Sequence, residues 1–330
     1  MPVLPTPRYL PSWPFRNGHV HTIYPAIFRR IDDVQYQRER ITLPDTDFLD
    51  LDWSKREATN DHDKPARVGI VLHGLEGSAA GGYVKGMVRA INKAGWDAVA
   101  CNFRGCSGEP NRLLRSYHAG ATEDLAAVLE HIIASYDYEE IVLVGFSLGG
   151  NLTLKYLGDM GDALPPAVKA TAGISVPCDL AASVDAMSTL ANKVYIARFM
   201  RNLREKMREK AAAFPGQIAI DRLDDITTFQ EFDDLYTAPL HGYADADAYW
   251  QACSCRPGLV NIQIPTLILN AADDPFLGPA CFPLDEAGQS ANVHLEIPDY
   301  GGHVGFIDHP KDRRYWSEQR VVSFFEQHLG

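Results

Sequence analysis

Two hydrophobic rhythms alternate along the chain from about residue 67 onward. Short, continuous apolar runs at 67–72, 97–101, 141–144, 169–176, 266–270 and 293–297 have strand length and few interruptions, as strands buried on both faces do. Between them lie stretches with helical spacing at 86–94 and 122–134. In the second, Leu125, Val128, Leu129, Ile132 and Ile133 recur at i, i+3, i+4, i+7 and i+8. Strand and helix in alternation predict an α/β protein, with a mostly parallel sheet and helices on both faces. Ahead of this region, 40–43 and 48–53 flank Pro44-Asp45-Thr46-Asp47, which predicts an opening hairpin.

The alternation fails between about 178 and 261, where no strand pattern occurs. A long helical stretch over 180–213 is followed by an irregular acidic and aromatic segment. This predicts a core formed by 1–177 and 262–330, with 178–261 inserted as a helical cap, or lid, over the active site. Ile196, Met200, Leu203 and Met207 share one helical face. Arg198, Arg201, Arg204, Lys206, Arg208 and Lys210 lie among them, diluted by Glu205 and Glu209, and are expected to form the solvated face. The sharper alternative is a surface for anionic lipid head groups or acidic substrates.

The strongest chemical signal is Gly145-Phe146-Ser147-Leu148-Gly149, which fits G-x-S-x-G between a predicted strand and a helical stretch at 151–157. A nucleophile on so tight a turn needs small neighbours two residues either side. The turn also sets the Leu148 N–H at a helix start, where free donors and the helix dipole favour an oxyanion. A serine needs a base, and the chain order for such sites is Ser, acid, His. His303 is the best base, because Tyr300-Gly301-Gly302-His303-Val304-Gly305 is a flexible loop just after the last predicted strand. His294 lies in a strand pattern and His309 precedes a proline, so both are weaker. Asp273 and Asp274 follow the strand at 266–270, and spacing leaves open which orients the imidazole and which caps the turn. Leu75, after His73-Gly74 at the end of the 67–72 strand, is the expected second oxyanion donor through its N–H. Glu76 is expected to brace that loop or face solvent.

Other features carry less. His19 and His21 have the spacing of strand metal ligands, but no further ligands lie nearby, so no metal is expected. The glycines of 102–108 lack dinucleotide-site spacing; Arg104 is expected in an ion pair, and His118 packed against or capping the next helix. The chemistry calls for no cofactor. The chain has 330 residues and a formal net charge of −12, which excludes a nucleic-acid footprint. Six cysteines, at 101, 106, 178, 253, 255 and 281, lack zinc or redox spacing and suit reduced thiols in a cytosol. Met1-Pro2-Val3-Leu4-Pro5-Thr6-Pro7 lacks the basic start and apolar core of a signal peptide. No apolar run reaches the ~18 residues of a membrane span. A soluble, cytoplasmic protein is therefore expected.

Several motifs together resemble the YheT-like branch of the α/β-hydrolases. They are Asn17-Gly18-His19, His73-Gly74-Leu75-Glu76-Gly77-Ser78, Asn102-Phe103-Arg104-Gly105-Cys106, Tyr117-His118 with Thr122-Glu123-Asp124, Gly145-Phe146-Ser147-Leu148-Gly149-Gly150-Asn151, Asp273-Asp274-Pro275-Phe276 and Gly301-Gly302-His303-Val304-Gly305-Phe306. The likeness runs from about residue 11 to the C-terminus. It implies the α/β-hydrolase fold, with an eight-stranded, mostly parallel sheet and a helical cap. It also implies a Ser–Asp–His triad whose acid is the second aspartate, Asp274. Eukaryotic relatives often carry an N-terminal membrane anchor and are linked to lipid ester hydrolysis; no anchor is expected here. The expected activity is cleavage of carboxylic esters with short, medium or lipid acyl groups through an acyl-enzyme. The same residues would serve a thioesterase, an amidase or an acyltransferase, and a non-catalytic binding protein is the rival from another class.

Overall fold

Each of the six apolar runs becomes a strand, and the hairpin adds two more. The structure is a computed structural model describing residues 9–56, 66–308 and 315–329; residues 1–7 and His309, considered above, lie outside them. The strands are β1 (Gln37–Thr42), β2 (Phe48–Ser54), β3 (Arg67–Leu72), β4 (Asp97–Asn102), β5 (Glu140–Phe146), β6 (Val168–Ile174), β7 (Thr266–Leu269) and β8 (Val293–Glu296). They form one sheet in the order β1-β2-β4-β3-β5-β6-β7-β8. The β1–β2 and β2–β4 pairs are antiparallel, and β3 to β8 run parallel.

Period-two alternation divides each inner strand between two cores. In β5, Ile141 and Leu143 face α3 (Thr122–Ser135) and α4 (Leu148–Met160) through Leu125, Val128, Leu129 and Leu152. Val142 and Val144 face the opposite layer, α2 (Gly82–Lys93) and the C-terminal helix Trp316–Leu329, through Met87, Ile91, Phe324 and Phe325. Such fully buried side chains each contribute about 1.5–3 kcal/mol. The chain leaves β3 for β4 on one side and reaches β5 on the other, so a crevice opens at the carboxyl ends of β3 and β5.

Residues 178–261 contribute no strand. Their helical stretch is broken where a continuous one was expected. α5 (Leu180–Met187) ends in a short turn at Leu190–Asn192 before α6 (Lys193–Ala213) starts. The Ser188 hydroxyl bonds back to Val184 O and Thr189 to Ala186 O, while the buried Asn192 amide donates to Ala186 O and Pro275 O. Such local side-chain bonds compete with the helix ladder.

The basic run on α6 is likewise not one solvated face. Lys210 is buried and donates to Asn111 Oδ1, Leu113 O and Arg115 O. Lys206 points toward the crevice, Arg204 donates to Ile226 O and Arg208 pairs with Asp224; only Arg198 and Arg201 project outward without an ion pair among the described residues. Two helices outside the sequence reading also matter. One is the C-terminal helix; the other is α1 (Gly18–Phe28), N-capped by Asn17. No helix of the described residues is long and apolar enough to cross a membrane.

Candidate active site

Ser147 sits between β5 and α4 with φ +51°, a left-handed conformation costly for any residue but glycine. The bend requires Gly149, whose added Cβ would overlap His73 O, and Gly145, whose Cβ would overlap the Gly149 carbonyl. It holds the Ser147 Oγ 2.9 Å from His303 Nε2. His303 Nδ1 lies 2.9 and 3.1 Å from the two carboxylate oxygens of Asp274. A carboxylate only accepts, so Nδ1 carries the proton and Nε2 offers its lone pair to the serine hydroxyl. Asp274 is buried and also takes the Phe276 N–H at 2.9 Å.

Three backbone bonds fix the histidine loop. Gly302 N–H donates to Asp273 Oδ1 at 2.8 Å, His303 N–H to Thr22 Oγ1 at 2.9 Å and Val304 N–H to Ser175 Oγ at 2.9 Å. Asp273 thus anchors the loop and Asp274 meets the imidazole, separating the two aspartates that spacing could not rank. Asp273 Oδ2 is buried without a partner among the described residues, and burial raises its carboxyl pKa.

Beside the serine runs the turn after β3. Gly74 lets the turn run close to the serine, since an added Cβ would stand a tight 3.1 Å from Ser147 Cβ. Gly74 N–H donates to Tyr83 Oη, Glu76 N–H to Tyr117 Oη and Gly77 N–H to Gly74 O. The Leu75 N–H is the one amide of 74–77 with no partner among the described residues. His73 aims it: Nδ1–H donates to Gly74 O at 2.7 Å, and Nε2 accepts the Phe103 N–H at 3.2 Å. Because the Gly74–Leu75 peptide is planar and trans, fixing its carbonyl fixes its N–H on the opposite side. Burial lowers the His73 pKa to about 4, so the ring holds this neutral tautomer at pH 7. Leu148 opens α4, where its N–H has no partner within the helix.

A cavity of about 150 Å³ rises from these groups. Its walls are mostly apolar, including Leu180, Val184, Phe199, Leu203, Met207 and Phe229 from 178–261, and Phe276 beside His303. One charged pair enters it. Lys206 Nζ lies 2.9 Å from Glu76 Oε1 and 3.1 Å from Cys106 Sγ, and the Tyr117 hydroxyl donates to the same Glu76 oxygen at 2.6 Å. Burial opposes the Lys206 charge, but Cys106 and Glu76 outweigh it and raise the pKa. Glu76 braces the loop, as one of the two expectations for it had it, from the left-handed region at φ +54°.

Of the remaining candidates, Arg104 is ion-paired with Asp45, Asp47 and Asp124, as expected. His118 accepts the Gly120 N–H and also lines the cavity, its ring 4.4 Å from that of His241. His19 meets Tyr195, His21 is buried against Tyr9 and Ile307, and His294 packs on Phe324. The reading of the residues missed Lys206, Tyr117 and Thr22 at the site. Away from the site, the burial of Lys210 did leave a trace, since it continues the four-three spacing of Ile196, Met200, Leu203 and Met207.

A serine on a strained turn after β5, in a sheet of this order, defines a class. A family model described as alpha/beta hydrolase fold matches residues 70–310, and the chain belongs to the α/β-hydrolase family. Within that family of hydrolases it falls in the YheT-like branch. It is 39% identical over 328 residues to the Escherichia coli K12 protein named "Putative esterase YheT", spanning 98% of this chain and 94% of that one. A human protein named Phospholipase ABHD3 is 30% identical over 325 residues, spanning 98% of this chain and 79% of that one. Among solved structures, the Pyrococcus furiosus esterase Pf2001 matches with a TM-score of 0.59 at 17% identity, covering 92% of this chain and 97% of that one, a likeness of fold.

Proposed function

We propose that the protein hydrolyses carboxylic esters through an acyl-enzyme, with Ser147 as nucleophile, His303 as base and Asp274 orienting the imidazole. The observation that carries this reading is the continuous hydrogen-bond path from Ser147 Oγ through His303 to Asp274, at the floor of an apolar cavity. His303 Nε2 takes the hydroxyl proton as Oγ attacks the acyl carbon. The carbonyl oxygen gains charge against the Leu75 and Leu148 N–H groups, where loss of one donor typically costs about 10²–10³ in turnover. His303 returns the proton to the departing alcohol. Water, deprotonated by the same nitrogen, then releases the acid.

Residues 178–261 serve as the cap, and their apolar walls select the acyl group, with about 0.8 kcal/mol for each methylene buried. This favours short, medium or lipid acyl chains over charged small molecules. The names borne by the relatives, esterase and phospholipase, support an ester as substrate. The test is covalent labelling by a fluorophosphonate. Wild-type protein labels and Ser147→Ala does not; an unlabelled wild type, or a labelled variant, overturns the reading. A series of p-nitrophenyl esters of increasing acyl length then gives a rate optimum that sizes the pocket.

A further inference from the structure

The exposed large apolar side chains are not scattered. Among the described residues, more than half of them fall within 10–28 and 190–194. On α1, Val20, Ile23 and Ile27 form an outward stripe at i, i+3 and i+7, opposite the face that buries His21. In the turn before α6 Leu190 is 79% exposed, and in the first turn of α6 Val194 is 75% exposed. A side-chain contact joins the two stretches: His19 Nδ1 lies 3.1 Å from Tyr195 Oη, with the rings stacked 5.9 Å apart. Clustered exposed apolar side chains mark an interaction surface, whereas single ones need no explanation.

Charge decides the partner. Residues 9–31 carry Arg16, Arg29 and Arg30 and no acidic residue; residues 186–204 carry Lys193, Arg198, Arg201 and Arg204 and again none, in a chain of net charge −12. Arg29 is taken by Glu318 and Arg204 by Ile226 O. The other five are exposed, with no carboxylate partner among the described residues. A second copy of the chain fits poorly, since an isologous contact would press two such cationic faces together. The same face also borders the site. The Tyr195 ring packs edge-on against Phe276 at 4.8 Å, and Phe276 lies 4.3 Å from the His303 ring.

We propose that α1 and the start of α6 dock on the surface of an anionic bilayer. The apolar stripe enters the head-group boundary, while the unpaired cations meet lipid phosphates. The docked face sets the mouth of the cavity toward the lipid. This inference rests on the surface and not on the hydrolase chemistry, so Ser147→Ala binds as wild type does.

Co-sedimentation with phosphatidylglycerol-containing vesicles, against phosphatidylcholine vesicles, tests it on the full chain. Wild-type protein partitions to the anionic vesicles and is released as salt rises toward roughly 0.5 M, where the Debye length shrinks to a few ångströms. Ile23→Ser with Ile27→Ser lowers partitioning by roughly tenfold or more, as loss of buried apolar area requires. Lys193→Glu with Arg198→Glu gives a comparable loss on anionic vesicles only. Circular dichroism and the thermal midpoint establish that each variant is folded. No retention of wild type at low salt, or retention unchanged in both double variants, overturns the proposal. A dimer that Ile23→Ser with Ile27→Ser dissolves, without vesicle binding, assigns the face to a second copy and overturns it too.

Discussion

The turns at the carboxyl edge of the sheet and the helices of 178–261 face each other across one cavity, but they are held by different means. At the sheet edge, backbone geometry sets position: φ is +51° at Ser147 and +54° at Gly302, and Gly149 lies against the His73 carbonyl with no room for a side chain. In the helical segment, side-chain packing sets position, through Met200, Leu203, Met207, Phe229 and Phe232. Bond making tolerates errors of a few tenths of an ångström, so its groups hang from backbone that cannot repack. An apolar wall tolerates volume-conserving exchange at little cost. Under the proposed function, reaction type therefore resides in the first region, and choice of acyl group in the second.

The sharpest break in this comparison lies within the sheet edge, between adjacent aspartates. Asp274→Asn is expected to lower kcat by about 10⁴, because an amide cannot hold the imidazole tautomer that leaves Nε2 free. KM should stay nearly constant, as for an interaction made in the transition state. Asp273→Asn keeps an oxygen for the Gly302 N–H, and kcat should fall no more than about tenfold. Steady-state kinetics on a soluble ester measure both. Equal losses would place the two carboxylates in a shared role and undo the assignment.

The joint between the regions comes next in size. Lys206, from α6, reaches Glu76, whose N–H and carboxylate both engage the Tyr117 hydroxyl beside Leu75. Lys206→Met keeps the length and removes the charge. It should lower kcat by roughly tenfold, a shift of about 1.4 kcal/mol, with KM within about twofold. Inhibition by a trifluoromethyl ketone, whose adduct carries the oxyanion, should weaken in parallel. A loss confined to KM would mean that Lys206 shapes the wall and leaves the turn alone.

What could be read from the residues follows the same division. The Ser147 motif was legible because a strained turn admits few residue types, and a glycine two places away is a requirement of the bend. The strand runs were legible because both faces are buried, so periodicity and burial coincide at 141–144 and 266–269. Asp273 and Asp274 were indistinguishable from spacing alone, since a turn decides which carboxylate faces His303 and spacing does not encode that rotation. Inward-turned Lys206 was hidden for another reason. A lysine on a helix reads as solvent-facing unless its partner, here Glu76 some 130 residues earlier, is known to be near. The break at Asn192 was hidden because its amide bonds to Pro275 O, a tertiary contact.

Acid titration compares the two regions at the smallest scale. Burial lowers the pKa of His73 and His21 to about 4 and of His118 to about 3, from 6.5. Between pH 6.5 and the folded value, the unfolded chain binds a proton at each position and the fold does not, so stability falls as pH falls. The contribution is fully present above 6.5 and its slope ends once the folded ring also protonates, with each group supplying at most about 1.4 kcal/mol per pH unit in the window. Denaturant titrations from pH 7 to 4.5 should show this decline. His73 lies in the sheet-edge turn, whereas His118 is covered by 178–261, with His241 at 4.4 Å and Tyr249 at 6.0 Å. His118→Gln should therefore remove one group's share of the slope and leave that of His73. An unchanged slope would mean that His118 already meets water in solution. The helical segment would then stand off the core at rest, and groups outside it, His73 and His21 among them, would account for the acid sensitivity.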